Sequence, residues 1–386
     1  MSSTDPGQGR PADIRFVSLR MTNFLSYRSA TLDFGDFTAL VGPNGSGKSN
    51  AISALRLLHD IPTHGLPTAI SRRGGFEQLR FRDSERSYDP SIRLEFKLDS
   101  RPTSFYELTL RSIIGNRYEV ARESARIFHG GSELGFTSTE GIVSWHEISE
   151  TSRRDGNGRV PPGQSVVAQA GMRSSYLVSE IFQAAQTLEI NPSQVGELQE
   201  PSSIREFEPD GSNVATALEN LTPDARAELA QLLATIVPGI IDVDTEHVAD
   251  RVAIMFAQDT GNSRQWFYSK QMSDGTLRTF CILTAMLQDP RPVLLVIEEP
   301  EIAIHLGALQ TLVEILRSRS GTAQTVITTH SADVIDYLDI DDLRVVWAEN
   351  GQSKIAPIAD HTREPIRKGL ITPGALLRAD ALDPAT

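Results

Sequence analysis

The sequence has one cysteine, few aromatic residues and no long apolar segment. Cys281 excludes an internal disulfide and fits a reducing compartment, so we expect a cytoplasmic protein with this residue in the core, on a helix. The strongest apolar stretches, such as Val293 to Ile297, are only as long as a strand, and the N-terminus lacks a secretory pattern. With 386 residues and 39% hydrophobic composition, the chain predicts a soluble globular protein without a membrane partner.

Positive charge is also scarce, and it is unevenly distributed. Residues 1–130 hold 18 Lys and Arg against 14 Asp and Glu, whereas residues 131–386 hold 19 against 36. A polyanion would therefore contact the first third, and an autonomous nucleic-acid binder is disfavoured. The alternative is that these side chains lie on solvated strand and loop faces, since no aromatic residues for base stacking are interleaved among them. The candidates are Arg72, Arg73, Arg80, Arg82, Arg86, Arg111, Arg117, Arg122 and Arg126.

A complete phosphate-binding loop follows a strand-like segment. The apolar stretch Phe37 to Val41 leads into Gly-Pro-Asn-Gly-Ser-Gly-Lys-Ser at Gly42 to Ser49, and Ser49 to Leu58 has apolar residues at helical spacing. Lys48 would place a positive charge on the β and γ phosphates, and the Ser49 hydroxyl can ligate magnesium. This pattern predicts a site for ATP and Mg²⁺ in preference to an ordinary glycine turn.

A second acidic motif is typical of the other half of such a site. The apolar segment Pro292 to Ile297 has strand length and ends in Glu298-Glu299-Pro300-Glu301. In a Walker B strand the first acid holds the metal shell and the second activates the attacking water. We therefore expect Glu298 to contact the metal and Glu299 to be the general base, the alternative being two glutamates at a solvated turn.

Two shorter motifs occur near this strand. Thr325 to Thr329 is another strand-like segment, and it ends in His330, whose order after the acidic motif indicates a γ-phosphate sensor. Before the acidic motif, Ser273-Asp274-Gly275-Thr276 opens an apolar helix from Leu277 to Leu287. Alone, such a segment is an ordinary helix start with Ser273 as the N-cap.

Together these motifs resemble the RecF, SMC and OLD-type branch of the ABC ATPases. The resemblance rests on Asn23 to Tyr27, the phosphate loop through Asn50, Ser273 to Arg278, Glu298 to Glu301, and Thr328 to Ser331. Gly307 departs from the Leu-His-Pro ending common among relatives, and Gln78, Gln164 and Gln169 remain open as the Q-loop glutamine. The site residues implied are Gly42, Pro43, Asn44, Gly45, Ser46, Gly47, Lys48, Ser49, Asn50, Ser273, Asp274 and Gly275 for ATP, Ser49 and Glu298 for metal, and Lys48, Glu299 and His330 for catalysis.

What the resemblance implies is an α/β P-loop fold of the ABC ATPase head type, with a mixed central sheet and a flanking antiparallel sheet. In that superfamily the phosphate loop and the Ser273 segment of one chain face away from each other. The resemblance therefore implies a head-to-tail homodimer with two ATP molecules between the chains. It also implies a DNA-associated role in repair, chromosome maintenance or defence against phage, with a separate nuclease or toxin as effector.

The pattern along the chain predicts four regions. Residues 1–12 would be a disordered tail, residues 13–129 an ATPase lobe with the phosphate loop, residues 130–250 a polar and helical insertion, and residues 251–386 a second ATPase lobe. The acidic segment Asp339 to Asp342 is interpreted as a turn before a strand, because no nuclease domain surrounds it.

Two other functions use the same nucleotide chemistry. One is the ATP-binding subunit of a membrane transporter, which the Ser273 motif and the long insertion disfavour. The other is an ATP-dependent scaffold with very slow turnover. Hydrolysis by the parent chain and by Glu299→Gln would distinguish the scaffold from an ATPase.

Overall fold

The computed structural model of the chain describes residues 13–83, 86–114, 117–169, 171–204, 207–259, 261, 263–379 and 381–385. The predicted tail at residues 1–12 lies outside the described residues. The strands are β1 (Ile14–Phe24), β2 (Tyr27–Asp33), β3 (Phe37–Val41), β4 (Ser91–Leu98), β5 (Ser104–Ile113), β6 (Arg117–His129), β7 (Ser132–Thr139), β8 (Ile142–Ile148), β9 (Arg153–Arg159), β10 (Ala185–Leu188), β11 (Ile240–Val248), β12 (Arg251–Asp259), β13 (Arg264–Tyr268), β14 (Leu294–Glu298), β15 (Gln324–Thr329), β16 (Leu343–Glu349) and β17 (Gln352–Pro357).

The helices alternate with these strands in the second half of the chain. Helix α1 is interrupted at Gly65, whose backbone is not helical, between two prolines. The helices are α1 (Lys48–Ser71), α2 (Phe76–Leu79), α3 (Arg173–Gln183), α4 (Pro192–Val195), α5 (Val214–Glu219), α6 (Pro223–Ile236), α7 (Asp274–Leu287), α8 (Leu306–Arg319), α9 (Ala332–Asp336), α10 (Asp360–Arg367) and α11 (Pro373–Arg378).

The chain forms two compact units that do not follow the predicted boundaries. The first comprises the described parts of Met1–Phe34, Asn50–Ala185 and Trp347–Ile355, and the second those of Gly35–Ser49, Gln186–Val346 and Ala356–Thr386. The phosphate loop and its strand belong to the second unit, although the sequence placed them in a lobe with residues 13–129. The reason is strand pairing, because β3 lies between β15 and β16, both from the C-terminal third.

The first unit contains one antiparallel sheet of eight strands in the order β2-β1-β4-β5-β6-β7-β8-β9. Buried and partly exposed side chains alternate along β4, where Ile92, Leu94, Phe96 and Leu98 are buried. This period of two is typical of a sheet with one face against a core. The antiparallel sheet that the resemblance implied is present in this unit.

Residues 132–159 form three further strands, β7 to β9, where the sequence indicated a polar, non-strand segment. Strand β9 shows why, since the sequence Arg-Arg-Asp-Gly-Asn-Gly-Arg exposes almost every side chain and has no apolar face. It is held by regular backbone pairing with β8, from Ile142 opposite Arg159 to Ile148 opposite Arg153. The helical part of the predicted insertion is present as α3, α5 and α6.

The second unit contains the sheet that carries the phosphate loop. Its strands lie in the order β10-β14-β15-β3-β16, and the pairs β14–β15, β15–β3 and β3–β16 are parallel. Strands β3 and β15 are buried along their whole length. In a parallel sheet the loops that follow the strands meet at one edge, which is the usual place for a ligand in an open α/β sheet. Strands β11 to β13 form a separate antiparallel sheet.

Helix α7 contributes the predicted cysteine to the core. Cys281 is buried, and this burial raises the pKa of its thiol.

Within the described residues, none of the helices combines the length and the apolar character needed to cross a lipid bilayer.

Candidate nucleotide site

The phosphate loop has a shape that requires glycine at three positions. The backbone of Gly45 (φ 76°) and Gly47 (φ 113°) lies in the left-handed region, which side chains disfavour. A Cβ on Gly42 would lie 2.0 Å from the carbonyl oxygen of Val346 at the neighbouring strand. The loop is therefore built from the same sheet that supplies the acidic motif, and α1 begins directly after it at Lys48.

Lys48 is held inside this loop. Its Nζ donates to the carbonyl oxygens of Gly42 (2.7 Å) and Pro43 (3.0 Å), and the residue is only 6% exposed. Burial lowers the pKa of Lys48, while the nearby charges of Glu299, Glu301 and Glu298 act in the opposite direction. The ammonium is thus placed beside the phosphate-binding backbone and in the field of the acidic motif.

The two residues predicted to hold the metal, Ser49 and Glu298, are in direct contact. The Ser49 hydroxyl donates to Oε2 of Glu298 at 2.6 Å. Glu298 is the last residue of β14 and is opposite Thr328 in the parallel register with β15. A hydroxyl and a carboxylate oxygen in contact form the hard oxygen donor set that Mg²⁺ prefers, so these residues fit the ion.

Glu299 occupies a strained backbone position at the same sheet edge. Its φ of 46° is unusual for a residue with a side chain, and such strain concentrates at functional sites. The conformation is fixed by its N–H, which donates to the carbonyl oxygen (3.0 Å) and the hydroxyl (3.2 Å) of Thr328. The carboxylate contacts His330, whose Nδ1 lies 3.3 Å from Oε1 of Glu299.

His330 lies between two carboxylates. Besides Glu299, Oε1 of Glu301 lies 3.8 Å from the same Nδ1. Ionised carboxylates only accept hydrogen bonds, so a proton on Nδ1 would face two acceptors.

Ser273 caps α7, as its position in the sequence predicted. Its hydroxyl accepts from the N–H of Thr276 at 3.2 Å and lies 2.9 Å from the Thr276 hydroxyl. The helix packs closely on the loop after the acidic motif, because a Cβ on Gly275 would lie 2.1 Å from the carbonyl oxygen of Ala303. A cavity of about 430 Å³ adjoins this contact and is lined by Ser273, Gly275 and Ala303 among others.

The departure at Gly307 has a local explanation. His305 is the N-cap of α8, and its Nδ1 accepts from the N–H of Gly307 at 3.3 Å. Proline at this position has no N–H to donate. His305 and Gly307 thus form a cap of their own in this chain.

Other predicted contacts are placed as follows. Asn50 donates from Nδ2 to the hydroxyl of Ser26 at 2.7 Å, which links it to the early Asn23 to Tyr27 segment. Asn44 is exposed and Ser46 is buried. Asp274 lies in the first turn of α7, where its carboxylate interacts favourably with the positive end of the helix dipole.

The Q-loop candidates all belong to the first unit. Gln78 lies in α2, Gln164 follows β9, and Gln169 ends a short 3₁₀ turn. They remain three candidates for one role.

The arginines considered for polyanion contact are largely paired with acids. Arg73 contacts Asp60 (2.9 Å), Arg80 contacts Glu77 (3.1 Å) and Arg126 contacts Glu133 (2.9 Å), while Arg111 pairs with Glu119 and Glu140. Each of these four arginines thus lies against an acidic side chain. The interpretation as strand and loop faces is therefore favoured over a nucleic-acid surface.

The acidic segment near the C-terminus is a turn before a strand, as predicted. Residues Ile340–Asp342 form a 3₁₀ turn directly before β16. Its carboxylates meet arginines, since Asp341 contacts Arg363 at 2.9 Å and Arg367 at 3.0 Å.

Comparison with known proteins agrees with this geometry. Residues 37–336 match a protein family described as "AAA domain, putative AbiEii toxin, Type IV TA system". The chain is also 32% identical over 113 residues to structural maintenance of chromosomes protein 1 of Arabidopsis thaliana. That match covers 28% of this chain and 9% of the relative, so it spans only a small part of that protein.

Two solved structures share the fold. An Smc head domain with an extended coiled coil, bound to the C-terminal domain of ScpA, from Pyrococcus furiosus has a TM-score of 0.57 at 13% identity. The comparison covers 93% of this chain and all of that one. An SmcHead bound to the C-winged helix domain of ScpA has a TM-score of 0.56 at 15% identity, over 90% of this chain and 99% of that one. The predicted α/β P-loop fold of the ABC head type is confirmed.

Proposed function

This chain belongs to the AAA-domain family that matches residues 37–336, a group of ABC- and SMC-like P-loop ATPases, and we propose that it hydrolyses ATP to ADP and phosphate. The proposal rests mainly on the hydrogen bond between Ser49 and Glu298, which joins the phosphate loop to the acidic strand. Lys48 lies in the field of the acidic motif, and His330 contacts the carboxylate of Glu299. The second unit thereby holds the residues that we assign to phosphate binding, metal binding and general-base catalysis.

In this reaction Lys48 and the backbone of Gly42 to Gly47 bind the β and γ phosphates. Ser49 and Glu298 hold Mg²⁺, which neutralises charge on the phosphate oxygens when bound. Glu299 accepts a proton from the attacking water, and its fixed backbone keeps the carboxylate at the sheet edge. His330 contacts the γ-phosphate through Nε2 and responds to its release.

We place the signature role on Ser273, Asp274 and Gly275, with a second copy of the chain as the partner. The hydrogen-bond partner of the Ser273 hydroxyl is Thr276 of its own helix turn, and the N-terminus of α7 favours an anion. Each γ-phosphate would then join the P-loop of one copy to the α7 N-terminus of the other. ATP stabilises such a dimer because it binds the associated state better than the separate chains.

The biological output that fits this fold is control of a DNA-associated process in the cytoplasm, in repair, chromosome maintenance or defence against phage. The support is the family match and the likeness to SMC heads. The paired arginines of the first unit do not add to it. We therefore assign the nucleic-acid chemistry to an effector protein, a nuclease or a toxin, whose activity the ATP-bound dimer controls.

Steady-state ATP hydrolysis by the parent chain and by Glu299→Gln tests the enzymatic part. We expect Glu299→Gln to lower kcat by about 10²–10⁴-fold, the usual contribution of a general base, while ATP binding is retained. Glu364→Gln is the matched control, because this glutamate is 69% exposed on α10 and should leave kcat unchanged. Equal and very slow turnover by all three would favour the scaffold function over an ATPase.

The effector part requires a separate experiment. Glu299→Gln carrying a tag, kept in ATP during purification, should retain a nuclease or toxin that the Lys48→Ala chain does not retain. Recovery of a membrane protein in its place would favour the transporter function.

A further inference from the structure

Glu301 has no role in the reaction above, yet its carboxylate is largely buried beside the catalytic pair. Its side chain is 11% exposed, and it lies two residues after Glu299 in the loop that follows β14. A buried carboxylate is costly unless hydrogen bonds or charges compensate for its lost hydration. Its contacts therefore indicate what keeps it there.

Oε1 accepts two hydrogen bonds at the end of β15. This oxygen accepts from the Thr329 hydroxyl at 2.7 Å and from the N–H of His330 at 3.4 Å. Thr329 is fully buried, so the first bond is partly shielded from water. Glu301 thus holds the backbone from which the His330 ring projects.

The same carboxylate also faces the ring. Nδ1 of His330 lies 3.3 Å from Glu299 and 3.8 Å from Glu301, so the proton on Nδ1 has a near and a far acceptor. Among the described residues, Oε2 of Glu301 is buried and has no hydrogen-bond partner. The carboxylate therefore has free capacity to accept another hydrogen bond.

Glu299 has two partners if it is the general base of the proposed reaction, the His330 ring and the attacking water. These two contacts compete for the same carboxylate. When Glu299 turns to a water in the site it leaves Nδ1 of His330, and the carboxylate that then lies next to this nitrogen is Glu301, at 3.8 Å. We propose that Glu301 is the positioning residue that accepts the Nδ1–H of His330 when Glu299 turns to the attacking water. The carboxylate next to Nδ1 changes from Glu299 to Glu301, and the proton stays on Nδ1.

The inference rests on the proposed function, and Glu301→Gln tests it. With its oxygen at the Oε1 position the amide still accepts from Thr329, but its NH₂ takes the place of Oε2, the oxygen with free capacity, and cannot accept from Nδ1–H. We expect kcat to fall about 10- to 100-fold, as for a misplaced catalytic group, with the KM for ATP within about 2-fold of the parent. Glu364→Gln is again the control.

Thr329 supplies an independent pair of variants. Thr329→Val removes the hydroxyl that holds Glu301 and keeps the shape of the side chain, whereas Thr329→Ser keeps the hydroxyl. We expect Thr329→Val to lower kcat and Thr329→Ser to recover most of that loss. Equal loss in both would assign the effect to core packing and overturn the inference.

A spectroscopic readout separates this inference from the proposed function. The ¹⁵N signals of the His330 ring, assigned with a His330→Gln chain, report which nitrogen carries the proton. In Glu299→Gln we expect the Nδ1–H form to persist, and in the double variant with Glu301→Gln we expect it to be lost. Unchanged signals in the double variant would overturn the role of Glu301. The proposed ATPase reaction would still be supported by the loss of hydrolysis in Glu299→Gln.

Discussion

The Ser49 hydroxyl donates a 2.6 Å hydrogen bond to Oε2 of Glu298 across 249 positions of sequence. Ser49 ends the phosphate loop and lies in the first turn of α1. Glu298 ends β14, which pairs with β15, and β15 pairs with β3 in the same sheet. The parallel order of these strands brings their C-terminal ends to one edge. This contact is the structural basis for a shared metal and nucleotide site.

Ser49→Ala should weaken ATP binding when magnesium is present and have little effect when it is absent. The variant loses one oxygen ligand and the charge-assisted bond to Glu298, an effect of about 10- to 100-fold in Kd. Calorimetric titration of ATP with Mg²⁺ and with EDTA gives both values. Ser318→Ala, an exposed serine on α8, is the control. An equal loss in EDTA would remove the metal role.

Ser273→Arg should abolish hydrolysis and leave ATP binding to the separate chain nearly intact. The longer, charged side chain fills the position at which α7 would meet a phosphate of the other copy. Filter binding of ATP at low protein concentration, followed by an assay of turnover, separates the two effects. Ser318→Arg has the same added bulk at an exposed site and should keep both activities. Loss of ATP binding in Ser273→Arg would contradict the assignment.

Gly275→Ala should destabilise the second unit by about 1–3 kcal/mol, the usual range for overpacking. The new Cβ would lie 2.1 Å from the backbone oxygen of Ala303, which has little room to move. Gly321→Ala is a matched control, because its Cβ would meet nothing within 4 Å. Urea unfolding followed by fluorescence measures both. Equal midpoints would mean that α7 does not pack against this loop.

Asp342→Asn should stabilise the chain in a pH-dependent way. Burial raises the pKa of Asp342 from 3.8 to about 6, and Arg317 only partly opposes this. Below about pH 3 the carboxyl is protonated in both the folded and the unfolded chain, so the substitution changes little. Above about pH 6 the folded chain holds an unfavourable charge, and the variant should gain about 2 kcal/mol.

Urea unfolding at three pH values checks this gain. Asp155→Asn, which is 67% exposed on β9, should show no such dependence. A difference between Asp342→Asn and the parent that stays constant with pH would contradict the burial of this charge.

The parts of the site that the sequence predicted share one property. Phe37 to Val41 and Thr325 to Thr329 are short strand-like segments that lead into motif residues, and both are buried parallel strands in the structure. In such strands the side chains need no alternation, and the residue after the strand is placed at the sheet edge. The motif order was therefore enough to predict that Lys48, Glu298 and His330 lie together.

What the sequence did not predict depends on pairing or on a backbone angle. Strand β9 is polar throughout and is held by backbone bonds to β8, so its composition carries no strand signal. Glu301 lies two residues after Glu299 in the sequence. Its contact with Thr329 depends on the path of the loop, which starts at the positive φ of Glu299. Only the folded backbone shows that these side chains meet.

Mixing two inactive variants tests the composite site most directly. Lys48→Ala lacks a working P-loop and Ser273→Arg lacks a working α7 N-terminus, so each should be inactive alone. In a two-fold dimer the mixed species has one intact site, formed by Lys48 of one copy and Ser273 of the other. An equimolar mixture should then recover about a quarter of the parent ATPase activity, since half of the dimers are mixed. No recovery on mixing, or full turnover by monomeric Ser273→Arg, would contradict the account.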